Sequence, residues 1–156
     1  MDFLPEKQLF ILCGLIGAGK TTYAKKHFQC FTDLDYFQGH STKKMQIDWS
    51  KSLLSQGYQV CHITTYPTDE EVTFAEENNA VYLLIDTSLN QCKTNILIRN
   101  RERDMQHLGD VLTANEKLTR KFKTSPIKFA LVNMRSQDDW RKNGSRYNTP
   151  QLYQNI

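Results

Sequence analysis

The chain has no apolar run approaching the roughly 18–20 residues that a helical membrane span requires. A membrane protein of that kind is therefore not expected. The N-terminal stretch MDFLPEKQLF places no basic segment ahead of a long apolar run, so no secretory signal is expected and a cytoplasmic location is. Cysteine is sparse and scattered: Cys13, Cys30, Cys61 and Cys92 show no C-x-x-C and no Cys/His ligand spacing. That pattern argues against a zinc site and favours free, mostly buried thiols in a reducing compartment. The histidines (His27, His40, His62 and His107) make no i, i+4 pair. No internal repeat and no hairpin signal is visible, which removes solenoids and hairpin-rich β folds.

What is present is the composition of an ordinary globular protein, 39% apolar and 11% aromatic over 156 residues. That length suits one domain with a sizeable core. The net charge of +3 is unevenly spread: residues 1–98 carry 8 basic and 11 acidic side chains, and residues 99–156 carry 12 and 6. A basic second half fits a polyanionic ligand as well as it fits a solvated basic face.

Short apolar, β-rich runs recur at Leu9–Cys13, Cys30–Phe31, Gln59–Ile63, Val81–Ile85 and Phe129–Val132. Helical segments are expected between them, at Thr21–Phe28, Ser41–Gln56, from Thr68 onward, Leu89–Asp104 and Thr113–Thr124. Thr68 with an acid three residues on reads as a capped helix start. Met105–Asp110 and the tail from about Arg141 read as loops. Strands alternating with helices predict an α/β fold with a parallel sheet of five strands and helices on both faces.

One motif is specific. Gly14-Leu15-Ile16-Gly17-Ala18-Gly19-Lys20-Thr21 matches G-x-x-x-x-G-K-[ST] at every fixed position, between an expected strand and an expected helix. A phosphate chain needs several N–H donors converging on one point, and side chains beyond Cβ would block them. The helix start adds free N–H groups and the positive end of its dipole. Gly14, Gly17, Ala18, Gly19, Lys20, Thr21 and Thr22 are thus the expected binding residues for a nucleoside triphosphate. Lys20 reaches the β- and γ-phosphates and Thr21 ligates Mg²⁺.

The same loop serves kinases, GTPases, motors and non-catalytic modules. No guanine-reading N-K-x-D is present; LVNMRSQDD is the nearest and fails. Motors usually end a strand in Asp-Glu, whereas Asp86 is followed by Thr87 and Ser88, so Asp86 reads more readily as a turn or cap than as a Mg²⁺-linked residue. Two features favour a kinase. In CFTDLDYF, Asp33 and Asp35 alternate by two at the expected end of the second strand and share a face if the chain is extended. One carboxylate would steer Mg²⁺, the other would accept or orient the proton of an attacking hydroxyl. In ILIRNRERDMQ, Arg99 and Arg103 are four apart on an expected helix and converge, while Arg101 points elsewhere. Arginines that close on a phosphoryl group in transit stabilise its charge.

With these pieces in order, roughly Gln8–Thr124 resembles the small P-loop kinases, most of all the kinase domain of phage polynucleotide kinase and its zeta-toxin-type and chloramphenicol-phosphotransferase-type relatives. The matching pieces are Gly14–Thr21, TDLDYF, LIDTSLNQC, and RNRER, which fits R-N-x-x-R at Arg99, Asn100 and Arg103. The resemblance implies a P-loop NTPase, three layers α/β/α around a five-stranded parallel sheet. It implies one kinase domain over residues 1–140, an arginine-bearing lid near residues 99–115, and an irregular tail over 141–156. It further implies ATP and Mg²⁺ as cofactors, Arg103 on the phosphates in transit and Arg99 near the nucleotide. Thr21 and Asp33 would hold the metal, and Asp35, or Asp33 in its place, would engage the acceptor hydroxyl. The Val-Pro that follows the lid arginines in many relatives is absent from HLGDVL, and the place of the relatives' acceptor-binding basic residue holds Phe37 and Gln38.

For the acceptor, the basic second half and the aromatics Tyr36, Phe37, Trp49 and Tyr66 favour a nucleic acid end, nucleoside or nucleotide. The alternatives are a small hydroxylated metabolite, an antibiotic or a nucleotide sugar as acceptor, or a module that binds nucleotide without turnover.

Overall fold

The computed structural model describes residues 8–36 and 42–134. The apolar runs form five strands: β1 (Leu9–Cys13), β2 (Cys30–Thr32), β3 (Val60–Ile63), β4 (Val81–Ile85) and β5 (Ala130–Val132). Between them lie α1 (Lys20–His27), α2 (Lys43–Ser55), α3 (Asp69–Glu77), α4 (Leu89–Arg99), α5 (Glu102–Gln106) and α6 (Leu108–Thr124). A 3₁₀ turn over Leu34–Tyr36 follows β2.

Every strand pairing is parallel, and the order across the sheet is β2-β3-β1-β4-β5. The central β1 is buried at all its positions, as a strand covered on both faces must be. Its pleat divides the core in two. Phe10 and Leu12 face one way and pack with Tyr23 and Ala24 of α1, Cys92 of α4 and Leu118 of α6. Leu9, Ile11 and Cys13 face the other way and pack with Ile47 of α2 and Phe74 and Ala75 of α3. The result is the three-layer α/β/α arrangement. A buried leucine such as Leu12, truncated to alanine, would cost roughly 2–5 kcal/mol because it leaves a cavity in the closely packed layer against α1, α4 and α6.

Helix starts follow the local sequence. Thr42 and Ser88 cap α2 and α4 by accepting from the N–H groups of Met45 and Gln91. Thr68 and Glu71 form a reciprocal capping box at α3. α1 differs: its N-cap is Gly19, at φ 94°, and no side chain caps it. Its first N–H groups are therefore left facing the carboxyl ends of the strands, where ligands bind in open parallel sheets.

The helix expected over Leu89–Asp104 is interrupted. α4 stops at Arg99, and Asn100 takes the left-handed conformation (φ 50°, ψ 43°) with its N–H bonded back to Ile96. Asparagine tolerates that region better than other side-chain-bearing residues, which makes it a helix terminator here. The loop expected over Met105–Asp110 is helical except at His107, the one residue between α5 and α6. The expected tail, residues 141–156, lies outside the described residues.

Candidate active site

The loop between β1 and α1 separates its donors from its acceptors. Lys20 Nζ donates to the carbonyls of Gly14 (2.9 Å) and Leu15 (2.8 Å). Asn115 Nδ2 of α6 donates to Ile16 O at 2.9 Å, and Asn95 Nδ2 of α4 to Gly17 O at 2.9 Å. Thr87 Oγ1 donates to Ala18 O at 2.9 Å, and the Tyr23 N–H to Gly19 O at 3.0 Å. The carbonyls from Gly14 to Gly19 are thereby tied off. The N–H groups of Gly17, Gly19, Lys20, Thr21 and Thr22 find no acceptor among the described residues. An anion is the partner such a set of donors fits. Gly17 is required sterically as well as by its φ of 83°: a Cβ there would stand 2.7 Å from Ile96 Cγ1 and 2.8 Å from the Cys92 carbonyl.

Burial pushes the Lys20 ammonium down to about 8. It is held in place by the two loop carbonyls rather than by a carboxylate.

Thr21 Oγ1 donates to Asp33 Oδ2 at 2.7 Å, and Asp33 Oδ1 accepts from the Asp35 N–H at 3.1 Å. A hydroxyl and a carboxylate are hard oxygen donors of the kind Mg²⁺ takes. Among the described residues no group of three or more His, Cys, Asp or Glu side chains could hold a metal unaided. The pair therefore fits an ion that draws its remaining oxygens from phosphate and water.

Asp35 sits on the 3₁₀ turn, not on an extended strand, so it does not share a face with Asp33 by alternation. Both still line one cavity, because the turn folds Asp35 back over the loop. Arg103 Nη2 donates to Asp35 Oδ1 at 2.8 Å and Arg101 Nη1 to Oδ2 at 3.1 Å. Burial raises the Asp35 carboxyl, but the hydrogen bonds and charges of Arg103 and Arg101 outweigh it and hold it below the usual carboxylate range. The same pairing raises Arg103 above its ordinary value.

The expected convergence of Arg99 with Arg103 on one helix face is corrected by the break at Asn100. Arg99 ends α4 and donates to Asp104 at 2.7 Å, whereas Arg101 and Arg103 turn together onto Asp35. Spacing of four predicts a shared face only while the helix continues.

Two cavities flank the loop. One, of about 510 Å³, is lined by Gly17–Thr22, Asp33, Asp35, Lys43, Thr64 and the three arginines, among others. The second, of about 910 Å³, lies along α4 and the end of β5, with Gly17, Asn95, Arg99 and Asn133 in its wall. Arg99 and Thr22 line both.

The chain has the P-loop NTPase fold. Strand order, parallel register and the position of the Gly14–Thr21 loop after the central strand define it. No family model matches the chain, and no curated protein does. Among solved structures, shikimate kinase from Bacteroides thetaiotaomicron aligns at 18% identity and TM-score 0.48, over 94% of this chain and 98% of that one. The protein APE1195 aligns at 18% identity and TM-score 0.39, over 99% of each chain.

Beside the smaller cavity, a buried polar network joins α2, β3 and α3. His62 Nε2 donates to Glu71, whose carboxylate also accepts from Thr64 Oγ1 (3.0 Å), the Thr68 N–H (3.0 Å) and Lys43 Nζ (3.3 Å). Ser50 Oγ lies 2.8 Å from His62 Nδ1, and Thr32 Oγ1 lies 2.6 Å from Ser50 Oγ. Gln46 Nε2 bridges the carbonyls of Thr32 (2.9 Å) and Ile63 (2.8 Å). Ser50, His62 and Glu71 have the connectivity of a hydrolytic triad, but all three are fully buried and none lines either cavity. The network is a structural brace that stations Lys43 at the cavity wall.

Other expectations fall as follows. Asp86 is exposed on the wall of the larger cavity, and Asp33, not Asp86, bonds Thr21. Trp49 and Tyr66 line neither cavity; Tyr66 instead packs on Phe122 and Phe129, and the Tyr36 side chain lies outside what the structure describes. Phe37 and Gln38 lie outside the described residues. The cysteines are free; Cys13, Cys61 and Cys92 are buried and Cys30 partly so, and burial pushes the Cys92 thiol up to about 11. No helix of the described residues is long and apolar enough to cross a membrane.

Sequence reasoning missed Arg101, Asn95, Asn115 and Thr87. Arg101 and Thr87 lie within RNRER and LIDTSLNQC, but neither motif gives them a role, since each of the four works through a contact with a residue distant in sequence.

Proposed function

We propose that the protein is an ATP-dependent kinase that moves the γ-phosphoryl group to a hydroxyl of a small polar acceptor. The observation that carries this reading is the Asp35 carboxylate, gripped by Arg101 and Arg103 beside the phosphate loop. A nucleotide-binding module has no need of a carboxylate and two arginines opposite the γ-phosphate end of its loop.

In this reading the N–H groups of Gly17, Gly19, Lys20, Thr21 and Thr22 cradle the triphosphate, and Lys20 exchanges its loop carbonyls for β- and γ-phosphate oxygens. Thr21 and Asp33 hold Mg²⁺, which supplies neutralisation of the phosphate charge. The larger cavity takes the nucleoside, with Arg99 at its edge. The segment near residues 99–115 acts as the lid, and Arg103 swings from Asp35 to the phosphoryl group in transit. That movement leaves Asp35 with Arg101 alone. With one guanidinium fewer the carboxylate becomes a better acceptor for the proton of the attacking hydroxyl. The acceptor oxygen bonds to the γ-phosphorus as the bridge to the β-phosphate breaks, ADP leaves, and the hydroxyl proton passes to Asp35 and then to solvent.

A cavity of about 510 Å³ falls within the range of small-molecule sites, roughly 300–1,000 Å³. Its described walls hold no aromatic side chain on which a base would stack, and Lys43, Thr64 and Thr65 make its acceptor side polar. These features favour a small hydroxylated compound over a nucleic acid end. A labelled-ATP transfer screen tests the proposal, offering sugars, hydroxy acids, nucleosides, nucleotides and 5′-hydroxyl oligonucleotides in parallel. Label is expected in a small acceptor and absent with Asp35→Asn. Label only in oligonucleotides would overturn the acceptor class, and ADP release at background throughout would overturn the kinase reading.

A further inference from the structure

Asn115 is 1% exposed in the middle of α6, yet it is an asparagine, a poor helix former and costly to bury without partners. Its amide closes a ring with the backbone N–H and C=O of one residue, 99 positions away. The Ile16 N–H donates to Oδ1 at 2.8 Å, and Nδ2 donates to Ile16 O at 2.9 Å. An asparagine side chain presents one donor and one acceptor side by side, matching the N–H and C=O of a single residue, and an ionised carboxylate or aliphatic group cannot. The next carbonyl, of Gly17, is taken in the same way by Asn95. Two amides from two helices thus fix successive peptide units of the loop that the notably open N–H groups belong to.

We propose that Asn115 and Asn95 are positioning residues for nucleotide. They hold the Ile16 and Gly17 carbonyls away from the cradle, so that only N–H groups face the phosphates. A carbonyl turned inward would meet a phosphate oxygen with like charge. The clamp also ties the loop to the arm that carries the arginines, since α6 follows α5 after His107 alone. The inference rests on the nucleotide-binding part of the proposed function and on no particular acceptor.

The test is calorimetry of the full chain with magnesium–ATP, at neutral pH and near pH 5, with melting curves under each condition. Asn115→Asp keeps the size of the side chain but sets a carboxylate against the Ile16 carbonyl. Its affinity for ATP is expected to fall about tenfold or more at neutral pH. Once protonated, that carboxyl offers one O–H donor and one acceptor and rebuilds the ring, so the deficit relative to wild type should shrink on acidification. A merely structural asparagine would lower the melting temperature without a pH-reversible loss of affinity. Asn95→Ala removes one bond from a half-buried site and should weaken ATP about two- to fivefold if the Asn115 variant does not fold. A folded Asn115→Asp that binds as wild type at neutral pH, or a deficit unmoved by pH, overturns the inference; so does an Asn95→Ala indistinguishable from wild type. Wild type failing to bind ATP would instead overturn the nucleotide reading itself.

Discussion

Asp35 accepts a hydrogen bond from Arg103 Nη2 at 2.8 Å although 68 positions separate the two. The pair joins the turn after β2 to the short helix α5, and so holds the proposed acceptor carboxylate and the proposed transition-state arginine in mutual check. Neither can act while bound to the other. Nucleotide must draw the arginine away before the carboxylate is available, which orders the two events without any further device.

Arg103→Ala should therefore leave ATP binding nearly intact and remove transfer. An arginine supplied to a phosphoryl group in transit is worth roughly 10³–10⁵ in rate. A loss of about a thousandfold in kcat is expected, with the ATP dissociation constant within about threefold of wild type. Single-turnover kinetics and calorimetry measure the two separately. Equal losses in both would mean that Arg103 serves ground-state binding.

Lys20 makes nucleotide affinity depend on pH with a definite sign. Its ammonium titrates near 8 in the unliganded protein because burial disfavours the charge. Phosphate oxygens favour that charge, so binding above pH 8 must take up a proton, and affinity should fall toward tenfold per pH unit there. Calorimetry in buffers of different ionisation enthalpy should show little proton uptake near pH 7 and close to one proton near pH 9. Folding responds oppositely. The unfolded chain keeps this proton up to about 10.5 and the folded chain releases it near 8, so unliganded stability should rise across that window. Lys20→Met should abolish both slopes.

The parts written in local patterns are legible in the sequence. Five apolar runs became five parallel strands, Thr68 and Glu71 capped α3, and the G-x-x-x-x-G-K-[ST] spacing put Lys20 and Thr21 at the sheet's central crossover. What failed was reasoning by continuity. Arg99 and Arg103 would share a face on an unbroken helix, but the left-handed Asn100 sends Arg99 to Asp104 and brings Arg101 in beside Arg103. One dihedral decided which arginine was misjudged. Asn115 was invisible for another reason: a buried amide that pairs with a peptide group leaves no periodicity and no motif, only a contact across 99 positions.

Gly17→Ala should harm both the loop and its packing. The methyl group would enter the space of Ile96 and the Cys92 carbonyl, at a φ that side-chain-bearing residues avoid. Because the carbonyl and α4 backbone cannot yield as a side-chain tip would, a loss of roughly 1–3 kcal/mol in stability is expected. Denaturant titration measures it. Gly57→Ala, where a Cβ meets nothing within 4 Å but φ is 89°, isolates the backbone contribution, and Gly17→Ala should exceed it.

The brace formed by His62 and Glu71 predicts acid sensitivity well above the ordinary carboxylate range. Burial holds His62 below its usual 6.5 despite the adjacent Glu71, so the imidazole is neutral, donating from Nε2 to Glu71 and accepting at Nδ1 from Ser50. Below pH 6.5 the unfolded chain gains a proton on this histidine that the folded chain refuses until its lower value is reached; stability must fall across that interval. Glu71 acts in the same sense at lower pH. Burial raises it, but His62, Lys43 and the Thr68 N–H prevail and hold it below 4.5, so its stabilising contribution is lost as the pH falls through the folded value. Melting temperature should decline from about pH 6.5 downward. Glu71→Gln should be destabilised wherever wild-type Glu71 is ionised, because it loses the charge that Lys43 faces, and the difference should narrow at the acid end. In His62→Gln the portion of the decline that begins at pH 6.5 should vanish; a decline of unchanged shape in that variant would mean that another group carries the acid response.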